Sequence, residues 1–337
     1  MATREKRKER IDRGIKVRTR GVYALSSVKE LAYLVTPRLL LILGLLIAPL
    51  VMPDLYWQRV ICMICIYALL SLSFDFLAHF TGLVSLGGAL FIGLGGYISG
   101  SLNAYLGLSP ILSIPIATVV GALISTVLLL PCLPLRGIYF AIVTLMYPLL
   151  LARIIPALNI LGGTDGISGI VKFPSIWVAS YLVIGATIIV VFALRRLVTE
   201  DYGLVLHSIK DNDQAVQASG IDITPYKAQA VFIAAASGCF AGAYLVHLYG
   251  WGGISLFALD FSILPIAATV VGGVGTLVGP VLGSLILTPI SESLRDFGTL
   301  RIVFYSLVLL SFILFIPEGL MNYLDRKYHQ FERWVEV

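Results

Sequence analysis

Ile111-Leu-Ser-Ile-Pro-Ile-Ala-Thr-Val-Val-Gly-Ala-Leu-Ile-Ser-Thr-Val-Leu-Leu-Leu-Pro-Cys-Leu133 carries no charged side chain. A helix rising 1.5 Å per residue crosses the roughly 30 Å hydrocarbon core of a bilayer in about 20 residues. The stretch therefore reads as a membrane-spanning helix, and the chain repeats the pattern on both sides of it. Further apolar runs occupy Pro37 to Met52, Val60 to Leu77, Leu83 to Leu106, Ile138 to Leu158, Ile176 to Leu194 and Ala228 to Leu248, then Phe261 to Val274, Leu277 to Ile290 and Ile302 to Ile316. The runs beginning at Phe261 and Leu277 are short for full crossings and are separated only by Gly275-Thr276. Such segments fit broken or re-entrant helices packed within protein. The expected fold is an all-α polytopic membrane protein of about eight to ten transmembrane helices, broken ones included.

Composition agrees. Of 337 residues, 58% are hydrophobic and 13% charged, with a mean hydropathy of +0.94; a soluble domain carries about 25% charged residues. This excludes an ordinary cytosolic enzyme. The net charge of +5 is concentrated at the ends. Arg4, Lys6, Arg7, Lys8, Arg10, Arg13, Lys16, Arg18 and Arg20 precede the first apolar run, against Glu5, Glu9 and Asp12. Short basic segments beside a span stay in the cytoplasm, which places the N-terminus inside. No aromatic residue interleaves with these cations before Tyr23, so the tail does not read as a nucleic-acid arm. The run ending Met52-Pro-Asp54 lacks a small-residue cleavage site and reads as a retained span rather than a signal peptide. Cys62, Cys65, Cys132 and Cys239 all lie within apolar runs. The Cys62-x-x-Cys65 spacing, with no second pair and no nearby histidine, reads as core packing rather than a metal or redox site.

Residues 1–36 form a basic cytoplasmic tail on this reading, 37–320 the transmembrane domain and 321–337 a cytoplasmic C-terminal tail. Counting six crossings puts 195–227 in the cytoplasm, and an even total puts Arg326, Lys327 and Arg333 there too. Arg136 also falls inside, whereas Arg59, Arg153 and Lys172 fall outside, against the trend. Within 195–227, Asp211 can cap a short helix through Ala215 and Ala218, Gly220 can end it, and Thr224 before Pro225 can start the next span. Pattern alone supports a docking element and an amphipathic connector equally. Gly96-x-x-x-Gly100 and Gly275-x-x-x-Gly279-x-x-x-Gly283 have the spacing of close helix packing.

There is no G-x-x-x-x-G-K-[ST] loop, and the segment from Gly273 to Gly279 lacks the lysine such a loop needs, so ATP hydrolysis by this chain is not expected. H-E-x-x-H and Gly-x-Ser-x-Gly are missing too, and His79, His207, His247 and His329 are scattered. The chain is read as a non-enzyme with no bound cofactor or metal. Asp75, with His79 one turn later, is the candidate intramembrane carboxylate. An unpaired charge at mid-bilayer costs about 2.5–3.5 kcal/mol, so Asp75 should face protein or water. Contact with solute, pairing with His79 and capping of a neighbouring helix all remain open. The loop from Asn159 to Gly169 reads as turn-rich and exterior.

Several ordered blocks resemble the LivH/LivM-type permeases of ABC importers for branched-chain amino acids, the LivM branch most closely. Thr81-Gly-Leu-Val-Ser-Leu-Gly-Gly-Ala-Leu-Phe-Ile-Gly-Leu-Gly-Gly-Tyr97 resembles the family's TGxxSLGHxxFxGxGAY, and Leu135-Arg-Gly-Ile-Tyr-Phe-Ala-Ile-Val-Thr-Leu145 its LRGxYFAIVTL. Gly162-Gly-Thr-Asp-Gly-Ile167 resembles the TGGxxGL loop, and the stretch from Gly203 to Ile221 is similar to GRALRAIREDExAAxAxGI. Val270 to Gly283 and Phe315 to Leu320 complete the match. Gly88 stands where the family usually has histidine, Asp75 where many members have asparagine and His79 where glycine is common; Asn212-Asp213 departs from its Glu-Asp-Glu pattern.

The resemblance implies an ABC importer permease fold. It implies a coupling segment to the ATPase at Asp201, Gly203, Leu206, Ile209, Asp211, Asp213, Ala215, Ala218, Gly220 and Ile221, and a translocation path touching Asp75, Thr81, Ser85, Gly87, Gly88, Thr144, Thr164 and Asp165. The implied partners are a paralogous LivH-type permease, two cytoplasmic ABC ATPases that use ATP and Mg, a periplasmic solute-binding protein, the small-molecule substrate and the lipid bilayer, with no nucleic acid. The implied location is a bacterial or archaeal inner membrane. Relatives carrying urea or short amides leave a second substrate class open, and an ion-coupled secondary transporter is the rival from a different class.

Overall fold

The computed structural model describes residues 6–10, 43–52, 54–135, 137–294, 298, 300–315, 318–329 and 332–336. Arg4, Arg13, Lys16, Arg18, Arg20, Arg136, the start of the first apolar run at Pro37 and the pair Ile316-Pro317 lie outside the described residues. Apolar helices stand where the apolar runs were read. They are α1 (residues 43–51), α2 (Leu55–Asp75, continued by a π-helical turn, Phe76–Phe80), α3 (Gly88–Leu106), α4 (Pro110–Leu129), α5 (Ile138–Ala157), α6 (Ile176–Thr199), α8 (Ile223–Tyr249), α9 (Asp260–Gly272), α10 (Gly279–Ser293) and α11 (Leu300–Phe315). The polar helix α7 (Asp201–Ala218) joins α6 to α8, and α12 (Leu320–His329) follows α11. Among the described residues, α2, α4, α5, α6 and α8 are long and apolar enough to cross a membrane outright.

The third apolar run is only partly helical, because residues 82–86 are irregular and α3 starts at Gly88. A break inside an apolar run is tolerated when protein side chains replace the lost backbone partners, and that is what surrounds it, as described below. The glycine spacing at 275, 279 and 283 likewise does not form one helical stripe. Gly275 sits in the turn between α9 and α10 at φ +75°, a conformation that suits glycine, and only Gly279 and Gly283 are helical.

Among the described residues, four short strands tie ends together. β1 (Lys6–Arg10) pairs antiparallel with β4 (Glu332–Glu336), bringing the first and last described segments to the same side. β2 (Ile167–Ser168), after α5, pairs with β3 (Trp251–Gly252), after α8. At 27 residues α8 is about 40 Å long, so α7 and the β2–β3 pair occupy opposite ends of the bundle.

α2 and α8 form the centre. Of their most apolar windows 83% and 72% are buried, against 28–33% for α4, α5 and α6, which wrap the outside. α3 meets α8 backbone to backbone: a methyl group at Gly95 would overlap the Cys239 carbonyl oxygen, and one at Gly242 the Ile92 carbonyl oxygen. Without water to squeeze out, close approach through small residues is what lets two membrane helices attract. Buried polar groups pin the layers. His247 Nδ1 donates to the Val171 carbonyl at 2.8 Å, which leaves Nε2 to accept from the Ser113 hydroxyl at 2.9 Å, with Ser99, 3.0 Å from the same nitrogen, donating to Ser113 at 3.3 Å. One imidazole thus binds α3, α4, α8 and the segment after β2. Tyr244 donates to Cys62 Sγ at 3.2 Å, and Ser180 on α6 to Gln58 on α2 at 3.2 Å. Cys62 and Cys65 are both buried free thiols of the core.

Gly242→Ala is expected to lower the stability of the purified protein by about 1–3 kcal/mol by forcing α3 from α8. Gly185→Ala, with open space around the new methyl group, is expected to be neutral or slightly stabilising. Thermal unfolding in detergent compares the two.

Candidate functional site

α7 is a helix in two pieces. Asn212, at φ −158° and ψ 96°, interrupts it, and its Oδ1 accepts from Ala215 N at 3.1 Å. The cap expected at Asp211 is therefore made one residue later, because Asn212 takes the extended backbone from which a side chain can reach the third amide onward. The next span is capped by Asp222, which accepts from Thr224 N at 3.0 Å, rather than by Thr224 itself. Gly220 ends the short second piece at φ +89° as expected.

The ten positions assigned to coupling divide by exposure. Gly203, Leu206 and Ile209 are buried and seat α7, whereas Asp201, Asp211, Ala215, Ala218, Gly220 and Ile221 face outward. Asp213 turns inward, 3.5 Å from Lys227 Nζ on α8, with both side chains largely buried. Beside the outward set, Leu204 is 69% exposed, a large apolar side chain on an otherwise polar helix. The seat reaches three neighbours. His207 packs edge-on against Phe80 in the π-helical turn, with ring centroids 5.2 Å apart, and Lys210 borders Gly82. Tyr202 donates to the Tyr226 carbonyl at the start of α8 at 3.3 Å. Burial, with Tyr226 adding to it, pushes the Tyr202 phenol up to about 12, so it remains a donor at physiological pH.

Two interrupted helix pairs lie next to this seat, α2–α3 and α9–α10. Asp75, fully buried at the end of α2, accepts from Gly275 N at 2.7 Å and Leu277 N at 3.3 Å in the α9–α10 turn. His79 Nδ1 lies 3.1 Å from the same carboxylate but off the line a directed hydrogen bond requires. Conversely, Ser262 on α9 accepts from Ala89 N at 3.0 Å and donates to the Leu86 carbonyl at 2.7 Å, across the break before α3. Leu86 N donates to Thr144 on α5 at 2.9 Å, and Gly87 N to Ser85 at 3.2 Å. Thr81 donates to the Leu77 carbonyl at 2.6 Å.

Of the positions assigned to a path, Asp75, Thr81, Ser85, Gly87, Gly88 and Thr144 thus gather around these breaks, and Thr164 and Asp165 lie at the far end in the loop before β2. The two groups are not brought together. Between α2, the α3 break and α9 is a cavity of about 10 Å³ lined by Ser73, Ser85, Gly88 and Ser262, room for roughly one water. A side chain at Gly88 would meet the Phe261 carbonyl oxygen at 2.5 Å, so the histidine of the resembling permeases does not fit here without a shift of α9. Ser262 was not singled out from sequence, and a lone serine at the start of a short apolar run gives little signal. Thr164 lines a much larger open cleft, about 590 Å³, with Arg153 and Ser255.

Long apolar helices around a core, with helix breaks buried in protein and a polar helix seated at one end, define a multi-pass membrane permease. The chain belongs to the family described as branched-chain amino acid transport system, permease component, whose sequence model matches residues 56–317. It is 27% identical over 290 residues to the high-affinity branched-chain amino acid transport system permease protein LivM of Salmonella typhimurium, covering 77% of this chain and 68% of that protein. The Escherichia coli protein of the same name is 27% identical over 76% of this chain and 68% of its own length. A probable branched-chain amino acid transport permease protein LivM of Methanocaldococcus jannaschii is 27% identical over 62% of this chain and 69% of its own. No solved structure matches the chain.

Asp75→Ala removes the acceptor for two amides of a buried turn and is expected to lower stability by about 1–3 kcal/mol or more, with Asp75→Asn retaining most of it. Lys227→Met, which removes the cation 3.5 Å from the largely buried Asp213, is expected to lower stability by about 1–3 kcal/mol. Melting temperatures in detergent test both.

Proposed function

We propose that this chain is the membrane-spanning subunit of an importer driven by ATP hydrolysed in separate cytoplasmic subunits, and that its solute is a branched-chain aliphatic amino acid. The solute follows the relatives' names. The energy source follows α7, which carries the reading. Its inner side chains fix it to three neighbouring elements, and its outer side presents Leu204, Ala215, Ala218 and Ile221, all exposed among the described residues. Apolar side chains exposed on a polar segment are candidates for burial against a protein partner.

The chain pairs with a paralogous permease, two ATPases grip α7 on the cytoplasmic side, and a periplasmic binding protein delivers solute to the opposite end. Movement of α7 is passed through His207 to the π-helical end of α2, and through Tyr202 and Asp213 to α8. Because Asp75 on α2 holds the α9–α10 turn, both interrupted pairs move with it. Rigid spans rocking about a closed midpoint give alternating access.

Proteoliposomes holding this chain alone are expected to show no leucine uptake; adding the partner permease, ATPases, binding protein and ATP is expected to restore it. Leu204→Asp combined with Ala218→Arg is expected to reduce co-purifying ATPase at least ten-fold while leaving the melting temperature unchanged. Uptake by the chain alone, driven by an ion gradient, overturns the reading.

A further inference from the structure

We propose that the cleft beside Arg153 is a subsite for the carboxylate of the solute, with the guanidinium as its anchor, and that it selects on the carboxylate and aliphatic group while leaving the amine unread. This rests on the importer reading and adds a site to it. The cleft lies at the end of the bundle opposite α7, between the last turns of α5 (Leu149, Ala152, Arg153, Pro156) and the short 3-10 turn Ile254–Phe257 that follows β3. Its volume of about 590 Å³ falls within the range of small-molecule sites.

Its chemistry is asymmetric. Leu149, Pro156, Ile254 and Phe257 supply apolar wall, Thr164 and Ser255 supply hydroxyls, and Arg153 supplies the charge; no lining residue is acidic. The Arg153 side chain, exposed at the cleft, has no hydrogen bond or ion pair with any described residue, unlike Arg196, which pairs with Glu200. A cation at this end also runs against the tendency of basic residues to collect on the side of α7. A guanidinium with no partner among the described residues, beside an apolar wall, presents a fork that a carboxylate fills with two parallel hydrogen bonds. The apolar wall beside it accepts a branched aliphatic side chain. The lining offers an ammonium group hydroxyls but no carboxylate, Asp165 standing outside it against Thr164, so the amine is not fixed by charge.

A branched 2-oxo acid therefore meets the same contacts as the amino acid, and an amino acid amide or urea does not. Saturation-transfer NMR on the complete importer in nanodiscs, without the binding protein, measures this with leucine, 4-methyl-2-oxopentanoate, leucinamide and urea as probes. Leucine and the 2-oxo acid are expected to give comparable signals, at least five-fold above leucinamide and urea. Arg153→Gln is expected to reduce both signals at least five-fold, and Arg153→Lys to keep part of them, with co-purifying ATPase and basal ATP hydrolysis unchanged in each. Equal signals from leucine and leucinamide, no leucine signal, or an Arg153→Gln protein that matches wild type overturns the subsite. Failure of the unaltered chain to retain ATPase subunits instead overturns the importer reading, and the four probes are then compared on the chain alone.

Discussion

A peptide group buried at membrane depth must find its hydrogen-bond partner in protein, and two helix breaks in this fold meet that demand from each other's side. Asp75, at the end of the helix leading into the first break, satisfies amides of the second; Ser262, at the start of the helix leading into the second, satisfies both an amide and a carbonyl around the first. Neither break is self-sufficient. Remove one clamp and amides lose partners where no lipid can replace them. The packing of α2, α9 and α10 follows from this arrangement, reinforced by the Ser71–Ser284 contact at 3.2 Å and by Thr269 donating to the Ser71 carbonyl at 3.2 Å.

The clamps also explain why Asp75 is tolerated in an apolar helix. A buried carboxylate is costly when isolated, yet here it receives two backbone amides and lies beside an imidazole. Of the roles left open by sequence, capping of a neighbouring segment is the one its geometry displays.

Helix positions were legible because hydrophobicity at membrane depth is a one-dimensional signal: each long apolar run is helical over most of its described length. Short runs were legible as interrupted segments for the same reason. The start of the Leu83–Leu106 run was not, since residues 83–86 are as apolar as their helical continuation and only contacts 58 and more than 170 positions away reveal why they unwind. Capping residues were misplaced by one or two positions at Asp211 and Thr224, where adjacent polar residues compete and only backbone torsions choose between them. The division of α7 into a seated face and a free face was partly visible in Leu206, Ile209 and Val216, but its contact with the end of α2 joins residues far apart in sequence. Arg153 stood out only as an exception to the charge trend, and its setting emerged when α5 and the Ile254–Phe257 turn were seen side by side.

The π-helical turn Phe76–Phe80 has one more consequence. Hydrogen bonding five residues apart rather than four lodges an additional amino acid in a single turn, and each residue of an ordinary helix sweeps about 100°. Losing one residue here would rewind the turn to α geometry and swing Phe80 away from His207, so relatives lacking the bulge should differ from this chain by a one-residue gap at that point. Insertion and deletion, rather than substitution, would then be the means by which such proteins change how their moving parts are geared.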